Sequence, residues 1–385
     1  MNRLKQISIA LFAIMLAACG GQTPAAQNPV PTAASETAAT PASDGGQVDK
    51  SKLSKELNIY NWADYIDPAT LEAFTQEYGV KVNLDVYDNN EDMIAKVGFG
   101  TSGYDIVFPS DYAVDIMTKQ KLVAPLDKTL LPNMKNLKPA NLNLYYDKDN
   151  MFSLPYNLGM TGLGYNTSKF SAPVDSWATV FDKANLEKIS GQVSMLDDER
   201  ETPGAALYFL GKSVNETNAV ALDQAAQILK DQKAFLSGYD SSNVSRRLAS
   251  GEIVIGQIYS YNALQAKLGI EGDYSGNPDI AFAVPKEGAT IWQDNMAIVA
   301  SSSNIYTAHV FIDYMMRPDV SAKNSAYILG VTPNSAAESL LPTPLRDSYT
   351  QGFAPTDEMM KRLQWIERND ATAAFTDLWT AVKGE

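Results

Sequence analysis

The chain is poor in the residues that disulfides, zinc sites and histidine-based catalysis require. It has one cysteine, Cys19, and one histidine, His309, among 385 residues. A single cysteine excludes internal disulfides and any zinc site built from cysteines. The sequence also has no Gly-x-Ser-x-Gly, His-Glu-x-x-His or phosphate-loop motif. We therefore expect no enzyme, no metal and no cofactor, and a structural role for His309.

Basic residues and long apolar runs are also scarce. Lys and Arg total 31 against 45 Asp and Glu, so the formal net charge is −14. Removal of residues 1–18, which carry Arg3 and Lys5 and no acid, takes it to −16. This balance argues against nucleic acid and anionic lipid surfaces as partners and is compatible with a cationic ligand. Beyond the N-terminal segment no run of about 18 apolar residues occurs, so we expect no further membrane span.

The N-terminal segment has the order of a bacterial export signal. Two basic residues precede the apolar stretch 7–16, which ends in Leu16-Ala17-Ala18-Cys19 and resembles a lipobox. We expect residues 1–18 to be a lipoprotein signal peptide and Cys19 to be lipidated, which anchors the protein to a membrane. An ordinary secretory signal with an incidental cysteine is the alternative. Residues 19–52, rich in Ala, Pro, Thr, Ser and Gly, read as a flexible tether before a folded part at 53–385.

The folded part begins with alternating strands and helices. Strands are predicted at 57–60, 80–87 and 104–109, with helices at 68–78, 90–98 and 112–121. This β-α-β-α-β order predicts a parallel sheet covered by helices, that is, an α/β fold. In such sheets a ligand lies beyond the carboxyl ends of the strands. Those ends are residues 61–65 and 110–112.

A long apolar segment, 153–166, follows and predicts an extended crossing to a second α/β lobe. Glycines at 159, 162 and 164 suggest a relaxed, hinge-like backbone there. Further strands are predicted at 193–196, 253–258 and 280–284, and 292–300 is expected to return to the first lobe. We predict that one helix covers about 357–382, with Trp365, Phe375 and Trp379 facing the core.

Several ordered motifs identify a family. The chain resembles the spermidine/putrescine-binding proteins of ABC-type polyamine importers through the following segments: 60–65 (YNWADY), 104–112 (YDIVFPSDY), 154–156 (LPY), 197–201 (DDERE), 292–298 (WQDNMAI), 317–320 (RPDV) and 332–334 (TPN). The resemblance implies a two-lobed periplasmic-binding-protein fold with crossover hinge strands, its lobes spanning about 53–160 plus 296–335 and about 161–295 plus 336–385. It also implies a monomer in the periplasm or cell envelope, capture of spermidine or putrescine, delivery to an inner-membrane ABC permease, and no nucleic-acid partner.

By motif position, the resemblance places the polyamine-binding groups on ten residues: Trp62, Asp64, Tyr65, Ser110, Tyr112, Asp198, Glu201, Tyr259, Trp292 and Asp294. The chemistry suits a polyamine, because ammonium groups need carboxylate and hydroxyl acceptors while the methylene stem needs an aromatic wall. Trp292 and Asp294 are two residues apart, so on an extended segment both face one side. Tyr259 replaces a tryptophan common in the family, and Val331 replaces an aromatic residue, so the ligand length stays open.

Each assignment has an alternative. Trp62 and Trp292 are also compatible with core packing, and Asp64 with a solvated acid before a helix. Asp198 is also suited to capping the helix that Pro203 opens, with Asp197 as the ligand acid instead. A binding protein for another small solute such as a sugar, and a sensor or adhesin that uses the same fold, are the competing functions. An enzyme with Asp198 and Glu201 as a glycosidase pair is disfavoured, because acids three residues apart cannot readily flank one bond.

Overall fold

A mixed sheet of ten strands forms the centre of the computed structural model, which describes residues 48–270 and 272–384. The strands of this sheet are β1 Glu56–Trp62, β2 Lys81–Tyr87, β3 Ile106–Val107, β4 Ser153–Asn166, β5 Val193–Met195, β6 Leu236–Tyr239, β7 Ile255–Tyr259, β10 Ile280–Ala283, β11 Ala289–Ile298 and β12 Leu363–Trp365. Two further strands, β8 Gly269–Ile270 and β9 Tyr274–Ser275, form a separate ribbon. The main order is β2-β1-β3-β11-β4-β7-β5-β6, with β10 beside β4 and β12 beside β11.

Helices cover the sheet between these strands. Their bounds are α1 Pro68–Tyr78, α2 Asn90–Gly98, α3 Asp111–Lys119, α4 Ala178–Phe181, α5 Lys183–Leu186, α6 Glu201–Phe209, α7 Ala219–Lys233, α8 Val244–Ser250, α9 Ser260–Leu268, α10 Ile305–Met315, α11 Pro318–Ile328, α12 Thr343–Ser348, α13 Asp357–Met360 and α14 Thr372–Gly384. The bounds of the first helix follow from its terminal residues. Asp67 caps it by accepting from the Ala69 amide, Pro68 begins it, and Gly79 ends it at φ 72°. Within the described ranges no helix is long and apolar enough to cross a membrane.

The parallel strands β1, β2 and β3 are those that the sequence predicts, and β1 pairs in parallel with both neighbours. The strands β4 and β11 are longer than the rest and lie antiparallel beside each other in the middle of the sheet. The end of β11 pairs with β3, while the end of β4 pairs with β7 and β10. Both strands therefore belong to both halves of the sheet, as crossover strands do.

Two large apolar clusters lie on these two halves. The first core includes Phe74 and Phe108 together with Phe311 from α10. The second core includes Trp177 and Phe375. Segments distant in sequence thus share a core, which supports discontinuous lobes, and the exact lobe boundaries stay a prediction.

The folded part begins earlier than Leu53. Val48 packs against the first core, and the Asp49 amide donates to the Tyr306 hydroxyl at 2.9 Å. Residues 50–52, predicted as tether, form a 3-10 turn. The predicted signal peptide, Cys19 and the rest of the tether lie outside the described residues.

Two further expectations are wrong. The predicted helix 357–382 is interrupted, because Leu363–Trp365 forms β12 and pairs with residues 289–291 of β11. The glycines of β4 serve close packing rather than a relaxed backbone. A Cβ at Gly159 would lie 2.2 Å from the Trp292 ring, and one at Gly162 would lie 2.4 Å from the Ala283 carbonyl oxygen. None of the three β4 glycines has a positive φ.

His309 is a structural residue, as expected. It is buried, its Nε2 accepts from the Asp127 amide at 2.8 Å, and Nδ1 therefore donates to the Ile305 carbonyl at 2.7 Å.

Candidate functional site

Asp294 on β11 is the acid of the predicted site that contacts two other predicted site residues. Its side chain is 7% exposed, and its two carboxylate oxygens accept from two hydroxyls. Tyr65 donates to Oδ2 at 2.6 Å, and Ser110 donates to Oδ1 at 2.7 Å. Tyr65 follows β1 and Ser110 follows β3, so the carboxyl ends of two parallel strands meet at this acid, as predicted.

Burial raises the pKa of Asp294 to about 6, although the hydrogen bonds from Tyr65 and Ser110 oppose that rise. A second layer holds the two donors. The Asn157 amide donates to the Tyr65 hydroxyl at 2.5 Å, and the Asn90 amide donates to Ser110 Oγ at 3.1 Å. The geometry therefore fixes a buried carboxylate by neutral groups alone, which leaves its charge uncompensated.

A second acid, Glu201, begins α6 and is 6% exposed. Its carboxylate accepts from Thr161 of β4 at 2.8 Å and from Thr290 of β11 at 2.6 Å. Burial raises the pKa of Glu201, and the charge of Asp198 raises it further.

Asp198 lies beside Glu201, and its contacts differ from those of Asp197, the alternative ligand acid. Its Oδ1 accepts from the amides of Arg200 and Glu201, both at 2.8 Å, so it does cap α6. Burial raises the pKa of Tyr259, and the charge of Asp198 raises it further. Asp197 instead pairs on the surface with Lys383 at 2.7 Å. Asp198, rather than Asp197, is placed with the other site residues.

Four aromatic rings form a contiguous cluster that reaches Asp294 through the Tyr65 hydroxyl. The Tyr259 ring is nearly parallel to that of Tyr261, with centroids 6.1 Å apart and an interplanar angle of 5°. Trp292 stands edge-on to both, at 5.8 Å and 5.9 Å. Tyr261 in turn lies 6.0 Å from Tyr65. The Trp292 ring packs over Gly159, and its buried Nε1 has no hydrogen-bond partner among the described residues.

Two further predicted residues, Trp62 and Tyr112, have hydrogen bonds to other parts of the first lobe. The Trp62 Nε1 donates to the Phe108 carbonyl at 2.9 Å, and the half-buried ring packs against Tyr87 at 4.6 Å. Its position is thus partly structural. The Tyr112 hydroxyl accepts from Asn90 at 3.0 Å, which ties Tyr112 to the same amide as Ser110.

Asp64 is not brought to the cluster. It is exposed and has a left-handed backbone with φ 52°. The alternative of a solvated acid describes it better.

Sequence reasoning missed Asp111, the first residue of α3. It is 2% exposed, its Oδ1 accepts from the Tyr112 amide at 2.7 Å, and its buried Oδ2 has no partner within the described ranges. Burial raises its pKa well above the ordinary value, and the charges of Asp294 and Glu201 raise it further. The available signal was its place between Ser110 and Tyr112 at the end of a buried strand.

Tyr261 was missed as well, although it follows Tyr259 at the start of α9. Arg200, within the acidic motif, turns away from the site, since its guanidinium lies 4.2 Å from the Phe375 ring centroid. No cluster of three or more His, Cys, Asp or Glu in the described part of the chain is arranged to hold a metal ion.

The fold is that of a two-lobed solute-binding protein, in which buried acids and aromatic rings gather where the ends of the first-lobe strands meet β11. The chain belongs to the bacterial extracellular solute-binding protein family, whose profile it matches over residues 69–348. It is 35% identical to the putrescine-binding periplasmic protein SpuD of Pseudomonas aeruginosa, over 86% of this chain and 92% of that protein. It is 36% identical to the spermidine/putrescine-binding periplasmic protein of Escherichia coli K12, over 83% and 88%.

A solved structure agrees with these relatives. The TpPotD lipoprotein of Treponema pallidum superimposes with a TM-score of 0.75 at 28% identity, covering 86% of this chain and all of that one, 100%. The comparisons confirm the predicted two-lobed α/β fold class and the family resemblance. The family and both periplasmic relatives carry the names of binding proteins.

Proposed function

We propose that this chain is the extracytoplasmic component that captures a polyamine, spermidine or putrescine, between its lobes and delivers it to an ABC permease of the inner membrane. One observation carries the proposal. Asp294, Glu201 and Asp111 are all buried, and none forms an ion pair with a basic side chain within residues 48–270 and 272–384. The names of the curated relatives support the same ligand class.

Uncompensated buried carboxylates are costly, so a cleft that holds three of them is suited to a cation. Each ammonium of a polyamine has three donors and no acceptor, which matches the acids and hydroxyls here. The methylene stem matches the walls that Tyr259, Tyr261 and Trp292 provide. A charge-assisted hydrogen bond contributes roughly 1.5–3 kcal/mol, and a cation–π contact about 0.5–2 kcal/mol.

We assign the ligand site to nine of the ten predicted residues, leaving out Asp64 and adding Asp111 and Tyr261. This set is Trp62, Tyr65, Ser110, Asp111, Tyr112, Asp198, Glu201, Tyr259, Tyr261, Trp292 and Asp294. Asp294 and Asp198 are the acids we expect to contact ammonium groups directly. We expect Asp111 and Glu201 to act through longer-range charge, as a bound cation favours their ionised forms.

The protein acts as a non-enzymatic monomer in this proposal, held to a membrane of the cell envelope by lipid on Cys19. Two observations support the anchor: the lipobox-like end of the signal segment and a structural relative that is itself a lipoprotein. Mass spectrometry of the processed protein tests it. A diacylglyceryl mass on Cys19 is expected, and a free thiol there would contradict the anchor.

Calorimetry against a panel of putrescine, cadaverine, spermidine, spermine and neutral sugars tests the ligand class. Micromolar or tighter binding of at least one polyamine is expected, with no heat from the sugars. Sugar binding with all polyamines silent at millimolar concentration would overturn the proposal in favour of its nearest rival.

A further inference from the structure

Arg368 joins three groups that come from separate parts of the chain. It lies between β12 and α14, next to the second core, and its side chain is 14% exposed. One guanidinium nitrogen pairs with Glu91 of α2, and the other pairs with Glu199 at 3.3 Å. The guanidinium carbon lies 4.5 Å from the centroid of the Tyr112 ring.

These contacts cross from one half of the sheet to the other. Glu91 belongs to α2 and Tyr112 to α3, and Met93 of α2 shares an apolar cluster with Tyr60 of β1 and Val107 of β3. Glu199 follows β5 in the other half. A planar guanidinium presents five donors in a fixed fork, so it is able to hold two carboxylates and still lie on a ring.

Arg368 occupies a position whose surroundings, an aromatic ring face and two carboxylates, are also those that bind an ammonium group. Tyr112 is one of the rings assigned to the ligand, and a cation on its face gains the same quadrupole attraction whether it is a guanidinium or an ammonium. Glu91 and Glu199 supply the carboxylates that such an ammonium needs. The Asn90 amide donates both to the Tyr112 hydroxyl at 3.0 Å and to Ser110 Oγ at 3.1 Å, and Ser110 in turn donates to Asp294, so Tyr112 is tied to the hydrogen-bond network of that acid.

We infer that Arg368 is a specificity-determining residue: its guanidinium fills the ammonium position formed by Tyr112, Glu91 and Glu199 and so restricts the cleft to shorter polyamines with fewer charges. This inference rests on the proposed function and refines its ligand class toward the diamine. Removal of Arg368 frees one ring face and two carboxylates, which opens a place for the additional ammonium of a triamine.

The chain contains a matched control at a distance from the cleft. Arg246 pairs with Asp273 and lies 5.2 Å from the Tyr274 ring, so it repeats the contacts of Arg368 on the surface. Substitution there removes an arginine, an ion pair and a ring contact without touching the site.

The experiment measures Kd values for putrescine and spermidine by calorimetry in the full chain and in the R368Q, R368K and R246Q variants. We expect R368Q to shift the ratio of the two Kd values at least tenfold in favour of spermidine. We expect R368K, which keeps the positive charge on a flexible stem, to shift it less than threefold. R246Q leaves the ratio unchanged, and thermal melting in the absence of ligand verifies that each variant is folded.

An equal change in both Kd values in R368Q would overturn the inference, because a merely structural ion pair weakens all ligands alike. An unchanged ratio would overturn it as well. Should R368Q fail to fold, the E91Q/E199Q variant replaces it: Arg368 then stays on the ring without its acids, and a spermidine preference equal to that of the unsubstituted chain is expected. A tenfold shift toward spermidine in that variant would contradict the inference. Failure of the unsubstituted chain to bind any polyamine would instead overturn the proposed function.

Discussion

Asp294 and Glu201 are both buried acids that accept from two hydroxyls, yet the hydroxyls differ in kind. Those at Asp294 belong to Tyr65 and Ser110, which follow the first-lobe strands and are themselves assigned to the ligand. Those at Glu201 belong to Thr161 and Thr290 on the two crossover strands.

This difference in hydroxyl donors suggests that the two acids have different roles in ligand binding. Asp294 is held by Tyr65 and Ser110, which are both in the proposed ligand site, so we expect a ligand ammonium to join this hydrogen-bond network directly. Glu201 is held by threonines of the crossover strands β4 and β11. It lies beside a second acid, Asp198, whose charge adds to the rise in the pKa of Glu201. We therefore expect Asp294 to bind the ligand and Glu201 to act mainly through its charge.

The first way to break this comparison is the D294N variant. We expect at least a tenfold loss of polyamine affinity, about 1.5 kcal/mol, because a charge-assisted hydrogen bond becomes a neutral one. Calorimetry measures it.

The matched control for D294N is D85N. Asp85 also accepts from a tyrosine hydroxyl, that of Tyr104 at 2.7 Å, but it is exposed on β2. D85N should leave affinity unchanged. Equal affinities of D294N and the unsubstituted chain would remove Asp294 from the site.

The second prediction concerns E201Q. The carboxylate of Glu201 already accepts from both threonines, and its raised pKa makes it easier to neutralise. We expect a loss of about three- to fivefold, smaller than in D294N, since the variant removes a longer-range charge interaction. Parallel titrations of E201Q and D294N with one polyamine decide the matter. A larger loss in E201Q than in D294N would reverse the assigned tasks.

The sequence predicts the orientation of Asp294 but not the hydrogen-bond partners of Glu201, and the reason is physical. Trp292 and Asp294 are two residues apart on a strand, and a strand alternates its faces, so their common side followed from spacing. The bounds of β4 also agree with the predicted 153–166. Features of this kind can be predicted because they depend only on residues close together in the sequence.

Contacts between distant segments were not visible in the same way. Thr290 lies 89 positions from Glu201, and neither segment contains a pattern that predicts the hydrogen bond between them. The break in the predicted last helix depends on the pairing of β12 with β11, which periodicity of the segment itself does not contain. Because that segment was predicted to be helical, Arg368 was not considered for the site, and Asp111 was passed over between two recognised residues.

The third prediction extends the comparison to Asp111, which has neither set of hydroxyls. Its folded-state pKa is raised by burial, so the folded chain binds this proton more tightly than the unfolded chain does. The stability of the ligand-free protein therefore falls as pH rises above the ordinary value near 4. We expect D111N to flatten this fall between pH 4 and 8 in thermal melts, with only about a twofold loss of affinity.

Asp319 provides the control for D111N. It also lies in the first turn of a helix, but it is paired with Arg317 at 3.7 Å and is exposed. D319N should keep the pH slope of the unsubstituted chain. An unchanged slope in D111N would show that the Asp111 carboxyl is ionised and compensated in the free protein.

The smallest expected effect is a release of protons when the ligand binds. Burial raises the pKa of Asp294 to about 6, so at that pH close to half of these carboxyls carry a proton. A polyamine favours the ionised form, lowers the pKa, and displaces that proton. Affinity should then rise as pH increases from about 5 to 7, and binding at pH 6 should release roughly half a proton from Asp294 alone. Calorimetry in two buffers of different ionisation enthalpy measures the release. D294N should lose this share and keep the share of Glu201, whereas proton uptake on binding would show that the buried acids are not the groups that meet the ligand's charge.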